Sequence, residues 1–269
     1  MIYRLLYSIF KRFPWIKQLF WKIWYTRLAQ KVSSSKLKFM NYGYYSESMN
    51  ISLKDEDELE RYPIQLYHHV ATKVALKGLK VLEVGSGRGG GANYINEYLE
   101  PKEMIGLDLS SSAIDLCDTF YKSDRLSFLQ GSSEDMPFGD NTFDIVINVE
   151  SSHCYTSMDN FISEVSRVLK PNGHFLFCDL RRSNYVNEML DQLNSHSLEL
   201  LSYEDITSNV IRASDEMSAQ RIELINRLKV GKYVRNILKS FAGVKGGKVY
   251  DSFANGYFKY ISAVCINKE

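Results

Sequence analysis

The sequence predicts an α/β fold organised as an open, doubly wound parallel sheet, and three observations predict it. From Lys80 onward, short apolar runs alternate with amphipathic ones, the pattern of strands joined by crossover helices. The run Phe143-Asp144-Ile145-Val146-Ile147 has the apolar, β-branched character of a strand covered on both faces, yet it leads straight into Glu150-Ser151-Ser152-His153-Cys154. In a parallel sheet such a polar cluster falls at the carboxyl end of the strand, where ligands sit. Finally, a glycine-rich turn from Gly85 to Gly91 separates the first strand pattern from the first helix pattern.

The elements follow in order. The amino-terminal residues 1–31 carry all three tryptophans and no acid, and the first acidic residue is Glu47. Arg4, Lys11, Arg12, Lys17, Lys22 and Arg27 interrupt the apolar stretches, so no run of about 18 apolar residues exists for a spanning helix. The stretches are also too short, and lack the small-residue site, for a cleaved signal peptide. The expectation is one or two basic, aromatic-rich helices broken at Pro14, with Ile16, Leu19, Phe20, Ile23 and Trp24 at helical spacing. Two readings of residues 1–40 stand side by side: peripheral contact with a membrane surface through residues 1–31, or a lid on the main domain. The acidic run Asp55-Glu56-Asp57-Glu58 reads as a solvated helix start, before a helix over 62–76.

Strands are then expected at 80–84, 104–107, 126–130, 143–149 and 174–178, with helices at 90–99, 112–121 and 158–169. Residues 181–240 lose the strand signal and read as a helical insert, with helices at 186–193, 203–211 and 218–228, before a last strand at 257–266. The domain reading is therefore 1–40 as an appended segment and 41–269 as one domain, its 181–240 insert supplying pocket walls.

Composition narrows the class. With 269 residues, 45% hydrophobic, the chain buries an ample core, and a net charge of +1 makes no case for a nucleic-acid partner. The four cysteines form no CxxC pair and no metal-ligand spacing, which fits a reducing, cytoplasmic setting and no metal. His68 and His69, without a carboxylate cluster, read as structural or pocket-lining.

Gly85, Gly87 and Gly90 satisfy G-x-G-x-x-G, and Asp108 ends the second strand at the separation of a ribose-binding acid. That pattern alone leaves NAD and S-adenosylmethionine undecided. Glu83, two residues before Gly85, favours the latter, because it suits a cationic amino group and would repel a pyrophosphate. The segments after the third strand and before the fifth point the same way. Together VLEVGSGRGG, GLDLS, EDMPF, FDIVINVE and VLKPNG resemble the class I S-adenosylmethionine-dependent methyltransferases over residues 40–269. Within that class LYHHVATKVAL, GGGANYI, NVESSHCY and CDLR resemble the phthiotriol/phenolphthiotriol dimycocerosate O-methyltransferases, which methylate a hydroxyl on a polyketide-derived lipid.

The resemblance implies a Rossmann-like, seven-stranded sheet with S-adenosylmethionine as cofactor. It implies that the backbone of Gly85, Ser86 and Gly87 approaches the methionine part, Asp108 accepts from the ribose hydroxyls and Leu109 flanks the adenine. Ser133 and Glu134 would border the adenine edge, and Asn148 and Val149 would floor the methionine. Where the family often carries an acid, this chain has Ser132, whose hydroxyl or backbone must replace it. Asn41-Tyr42-Gly43-Tyr44-Tyr45 resembles the segment that covers the cofactor, which makes Tyr42 a contact.

Methyl transfer to an alcohol requires a base, and histidine suits that task near neutral pH. His153, just past the fourth strand, is the candidate base, and Asp179, at the end of the adjacent fifth strand, its orienter. Glu150 is open between a second base and a support for the helix that covers the cofactor, and Tyr155 between a hydroxyl contact and core packing. The acceptor is expected to be a small hydrophobic, lipid- or polyketide-like alcohol. C-methylation of a sterol- or quinone-like acceptor, and a non-catalytic scaffold, are the alternatives. No [DN]PP[YF] segment is present to grip a flipped base.

Overall fold

A computed structural model describes residues 38–228 and 230–269. The expected amino-terminal helices, and with them residues 1–31, lie outside the described residues. Among those described, no helix is long and apolar enough to cross a membrane.

A 3₁₀ turn at Asp55–Glu60 leads into α1 (Arg61–Ala71), followed by β1 (Lys80–Val84), α2 (Gly90–Tyr98), β2 (Glu103–Asp108), α3 (Ser111–Phe120) and β3 (Leu126–Gln130). The second half runs through β4 (Phe143–Val149), α4 (Met158–Val168), β5 (Leu169–Arg182), α5 (Val186–Leu193) and β6 (Leu198–Asp205). Three helices, α6 (Thr207–Arg227), α7 (Lys232–Phe241) and α8 (Lys248–Ala254), precede β7 (Phe258–Asn267). The seven strands form one sheet in the order β3-β2-β1-β4-β5-β7-β6. β1 to β5 are parallel, and β7 inserts antiparallel between β5 and β6.

Chain direction across the sheet reverses between β1 and β4, so their carboxyl ends open a crevice there. Strand alternation splits the core in two. Val81, Ile145, Ile147 and Val149 face the cluster under α1 and α2, whereas Leu82, Val84 and Val146 face the cluster under α4 and α5. Serine caps start two of the crossover helices: Ser110 Oγ accepts from Ala113 N–H at 3.4 Å and Ser157 Oγ from Asn160 N–H at 3.1 Å.

The helical reading of 181–240 is corrected in part. Leu198–Asp205 is a strand, β6, paired with β7, and the helix expected at 203–211 begins only at Thr207. β6 is an edge strand whose outer residues are exposed, so its alternation of Leu198 and Leu200 with polar neighbours is weak, and its register with β7 shifts between Leu200 and Ser202. Asp205 marks the switch by accepting from the Thr207 N–H at 3.0 Å. The acidic run is likewise not wholly solvated: Asp57 is buried and takes Lys38 Nζ at 2.8 Å and Tyr98 OH at 2.7 Å. Phe39, just before the expected domain start, already packs on Tyr67 with ring centroids 5.7 Å apart.

The first turn of α2 is glycine for steric reasons. A Cβ on Gly91 would lie 2.0 Å from the Tyr67 ring, and one on Gly90 2.5 Å from the Lys38 carbonyl oxygen. Gly91→Ala is therefore expected to lower the unfolding free energy by about 1–3 kcal/mol through overpacking. Urea denaturation measures this, and an unchanged midpoint would contradict the close approach of α1 to α2.

Candidate active site

The turn after β1 holds its shape through backbone bonds. Gly85 (φ 78°) and Gly87 (φ 54°) adopt left-handed conformations that favour glycine. The N–H groups of Gly85 and Ser86 donate to Leu107 O at 2.7 and 3.0 Å, tying the turn to the end of β2. Asp108 is fixed there: one carboxylate oxygen accepts the Gly87 N–H at 2.8 Å and the other the Ser110 N–H at 2.9 Å. Each oxygen keeps a further lone pair, the acceptor set a ribose diol needs. Burial raises the Asp108 pKa above the ordinary carboxylate value, and the Ser110 and Gly87 N–H groups oppose that rise. Leu109 follows, half-buried.

Glu83 is fully buried. Its Oε1 accepts the Tyr67 hydroxyl at 2.6 Å, but Oε2 has no partner, and neither do Ser86 Oγ and Asn148 Oδ1. Burial pushes the Glu83 carboxyl up to about 8, against the Tyr67 bond and the Ala92 N–H. Buried polar atoms left unpaired are costly, so these three fit a polar ligand, and Glu83 fits a cationic amino group in particular. Asn148 Nδ2, with two hydrogens to give, lies within hydrogen-bond distance of Val84 O (2.9 Å), Ser151 Oγ (2.7 Å) and Tyr155 OH (2.9 Å), while its Oδ1 is left as the open acceptor. The same Ser151 and Tyr155 oxygens lie where a Cβ on Gly85 would be, at 2.3 and 2.9 Å. Val149 is buried beside Asn148.

The loop after β3 is less open. Ser132 Oγ accepts the Glu134 N–H at 3.1 Å, and Glu134 Oε1 accepts the Thr156 N–H at 2.7 Å, so both side chains brace the loop; Ser133 is half-buried between them. The Tyr42 side chain turns toward the helical insert, its hydroxyl donating to Phe241 O at 3.1 Å and its ring set edge-on to Phe253. Met40 is the neighbour that approaches Gly87, 3.1 Å from where a Cβ there would be.

At the ends of β4 and β5, Asp179 is fully buried and multiply bound. His153 Nδ1 lies 2.8 Å from Asp179 Oδ1, and the His153 backbone N–H donates to Oδ2, also at 2.8 Å. Ser152 Oγ donates to Oδ2 at 2.5 Å, the Leu180 N–H to Oδ1 at 2.7 Å, and the Arg181 guanidinium sits 3.0 Å from Oδ2. Burial alone would raise the Asp179 pKa, but His153 and then Arg181 overcome it and hold the carboxyl well below the ordinary range. Burial likewise pulls His153 down, yet Cys154 and then Asp179 outweigh it and raise the imidazole well above its usual value. Asp179 and His153, separated by 26 residues, are thus brought together as expected.

Glu150 stands beside this pair with φ 52°, a left-handed conformation that costs a non-glycine residue of order 1–3 kcal/mol. Its Oε2 accepts the Tyr260 hydroxyl at 2.6 Å and the Tyr42 N–H at 2.9 Å, and burial pushes its carboxyl up to about 7. Glu150 therefore ties the backbone at Tyr42 to the end of β4. His68 bonds Tyr94 (2.6 Å) and His69 stacks on Tyr44 (centroids 4.4 Å), and both line a cavity with Met49, Thr72 and Lys73. Among the described residues no His, Cys, Asp and Glu group could hold a metal ion. Sequence reasoning missed Tyr67, Ser151, Tyr260 and Arg181. Tyr67, Ser151 and Arg181 lay within LYHHVATKVAL, NVESSHCY and CDLR, whereas Tyr260 carried no signal.

A family described as "Methyltransferase domain" matches residues 82–177. The chain is 36% identical over 241 residues to the phthiotriol/phenolphthiotriol dimycocerosates methyltransferase of Mycobacterium leprae, covering 89% of each chain. It is 41% identical over 196 residues to a fatty-acid O-methyltransferase of Mycolicibacterium smegmatis, covering 72% of each. The fold resembles that of a geranyl diphosphate C-methyltransferase from Streptomyces coelicolor A3(2), solved with S-adenosyl-L-homocysteine, with a TM-score of 0.69 at 16% identity over 93% of this chain and 97% of that one. A seven-stranded sheet with an antiparallel strand inserted beside its edge, an acid-and-glycine turn, and identity above a third across most of the chain converge: the protein belongs to the S-adenosylmethionine-dependent methyltransferases, in the family of the phthiotriol/phenolphthiotriol dimycocerosates methyltransferases.

Proposed function

We propose that this enzyme methylates the hydroxyl of a hydrophobic, lipid- or polyketide-like acceptor, with His153 as general base and Asp179 as its orienter. The observation that carries the reading is the 2.8 Å contact between His153 Nδ1 and Asp179 Oδ1. With Asp179 ionised, Nδ1–H donates to it, and the neutral ring carries its lone pair on Nε2, ready to take the acceptor proton. When bound, S-adenosylmethionine supplies an electrophilic methyl group on a cationic sulfur. Glu83 would meet its amino group and Asp108 its ribose hydroxyls. Leu109, Ser132, Ser133 and Glu134 would border the adenine, while the Gly85-Ser86-Gly87 backbone, Asn148 and Val149 hold the methionine part beneath the Tyr42 segment. The relative named as a fatty-acid O-methyltransferase supports an oxygen acceptor over a carbon one. Residues 1–31 add a basic, aromatic segment suited to peripheral membrane contact, where such acceptors reside.

The raised His153 pKa favours a second reading: an imidazolium that holds a carboxylate acceptor, which is already ionised and needs no base. The signs of the two readings are opposite. A base must be deprotonated, so with an alcohol kcat/KM rises with pH through a limb above the ordinary histidine value of 6.5. A carboxylate-holding imidazolium makes kcat/KM fall over the same window.

Three outcomes are expected. His153→Ala lowers turnover on an alcohol acceptor at least about a hundredfold while S-adenosylmethionine still binds; a near-normal rate would remove the base assignment. In pH profiles, Asp179→Asn moves the rising limb to lower pH, because the carboxylate that helps raise His153 is gone, and an unmoved limb would uncouple the pair. Glu83→Gln weakens S-adenosylmethionine binding by about tenfold or more in calorimetry, the scale of a lost charge-assisted hydrogen bond; equal affinity would move the amino group elsewhere.

A further inference from the structure

Strand alternation places Asp179 and Arg181, two residues apart near the end of β5, on the same face of the sheet, opposite Ile261 and Lys259 of β7. The Arg181 side chain is only 15% exposed, and its guanidinium is turned inward. Nη1 lies 3.0 Å from Asp179 Oδ2 and donates to the Leu180 carbonyl at 2.7 Å, while Nη2 donates to Ser152 Oγ at 2.8 Å and sits 3.8 Å from Met158 Sδ of α4. The Phe177 ring stands 5.9 Å from the guanidinium carbon. Lys259, across the register from Arg181, carries its own charge to Asp205 at 2.9 Å.

This arrangement divides the Asp179 carboxylate. Oδ2 takes Arg181, the Ser152 hydroxyl and the His153 backbone N–H, and Oδ1 is left to His153 Nδ1 and the Leu180 N–H. Arg181 also orders the hydroxyl: with the Arg181 N–H donating to the Ser152 oxygen, the hydroxyl hydrogen points to Oδ2. The ring therefore meets one oxygen.

Charge balance explains the second cation. A histidine base works from its neutral form, and in that form an Asp179 paired with His153 alone would be a buried anion without compensation. Such an anion holds the imidazolium proton tightly and makes the ring a poor base near neutral pH. A guanidinium stays charged throughout, so Arg181 balances Asp179 in both protonation states of the ring. The other ionisable groups facing His153 are Cys154 on its own turn and Glu150 at the end of β4, and behind Glu150 stand Tyr260 of β7, Tyr42 and Arg221 of α6. Of these only Arg221 is a cation, and it donates to Ala242 O and Asn41 O, each at 2.8 Å. Among the described residues, Arg181 is thus the one permanent cation on the Asp179 carboxylate.

We propose that Arg181 is a positioning residue for methyl transfer: it confines His153 Nδ1 to Oδ1 and balances Asp179 while the ring is neutral, so that the imidazole can take the acceptor proton. That proton passes to the ring as the oxygen–methyl bond forms and the methyl–sulfur bond breaks. The consequence for turnover rests on the general-base reading of His153; the effect on the ring's own titration does not.

The test is a titration of His153 by nitrogen-15 NMR, on the full histidine-labelled chain bound to S-adenosylhomocysteine, in wild type, R181M and R181K. Methionine removes the charge and lysine keeps it. R181M is expected to move the His153 titration upward by about one pH unit or more, opposite in direction to Asp179→Asn, and each such unit makes the neutral ring about tenfold scarcer near neutral pH. R181K should titrate as wild type does. Arg181 has no part in the cofactor site, so S-adenosylhomocysteine affinity should be unchanged in both and reports that the fold is intact. R181Q, a second neutral variant with an amide for the Ser152 hydroxyl, takes the place of R181M if that chain does not fold. A ring that titrates at the wild-type pH or lower in the neutral variant would overturn the proposal, and so would an upward shift of equal size in R181K. Near-normal turnover in His153→Ala would instead remove the base reading and leave the titration to decide the role of Arg181, so the two failures are distinguishable.

Discussion

Asp179 is a carboxylate with no access to water, and the carboxyl-terminal edge of the sheet is arranged to keep it charged. An isolated buried anion would take up a proton rather than bear the loss of solvation. Here the His153 ring, the Arg181 guanidinium, a serine hydroxyl and two backbone N–H groups converge on its oxygens, and its pKa goes down instead of up. The convergence needs β4 and β5 side by side, with Val149 paired to Cys178, so that the turn after β4 falls over the end of β5. It also accounts for the local backbone: the chain leaves β4 through the left-handed Glu150, and the following 3₁₀ turn, Ser152–Cys154, brings the Ser152 hydroxyl and the His153 ring and N–H onto one carboxylate. Removing a partner from such a buried charge typically costs about 3–5 kcal/mol, so the arrangement fixes His153 in place as firmly as it fixes Asp179.

The cofactor half uses the opposite device. Glu83, as buried as Asp179, is given one hydroxyl and one backbone N–H and keeps an oxygen unpaired, so its pKa goes up. Its proton is held to about pH 8 in the fold but is lost near 4.5 from an unperturbed side chain. The ionised group therefore costs stability as pH rises across that interval, and a cationic ligand offsets the cost. One buried acid has its charge matched by the protein; the other keeps an oxygen unpaired, as the proposed contact with a cationic amino group requires. Tyr67, held over Glu83 by the close contact with Gly91, sets the orientation of the second.

The parallel core of the fold was legible because β1, β4 and the centre of β5 are covered on both faces and read as runs of apolar residues. β6 was not, because an exposed edge strand lacks that run and the long helix behind it dominates the local pattern. The His153–Asp179 pair could be anticipated from strand order alone, since consecutive crossovers bring the ends of β4 and β5 together. Tyr67 and Tyr260 could not: they reach Glu83 and Glu150 across 16 and 110 residues from elements whose packing no local motif encodes. Ser132 shows a subtler limit. Its hydroxyl is committed to the Glu134 N–H, so the residue type named a candidate contact while the turn gave that oxygen another role.

The central claim is that Asp179 fixes the His153 ring with its proton on Nδ1, leaving Nε2 to accept. Nitrogen-15 NMR of histidine-labelled protein bound to S-adenosylhomocysteine tests this directly, with the His153 signals identified among the five histidines by their loss in His153→Ala. The account predicts that, above the pH at which the ring loses its extra proton, Nδ1 carries the hydrogen and Nε2 has the shift of an unprotonated nitrogen. A neutral ring protonated on Nε2 would contradict it.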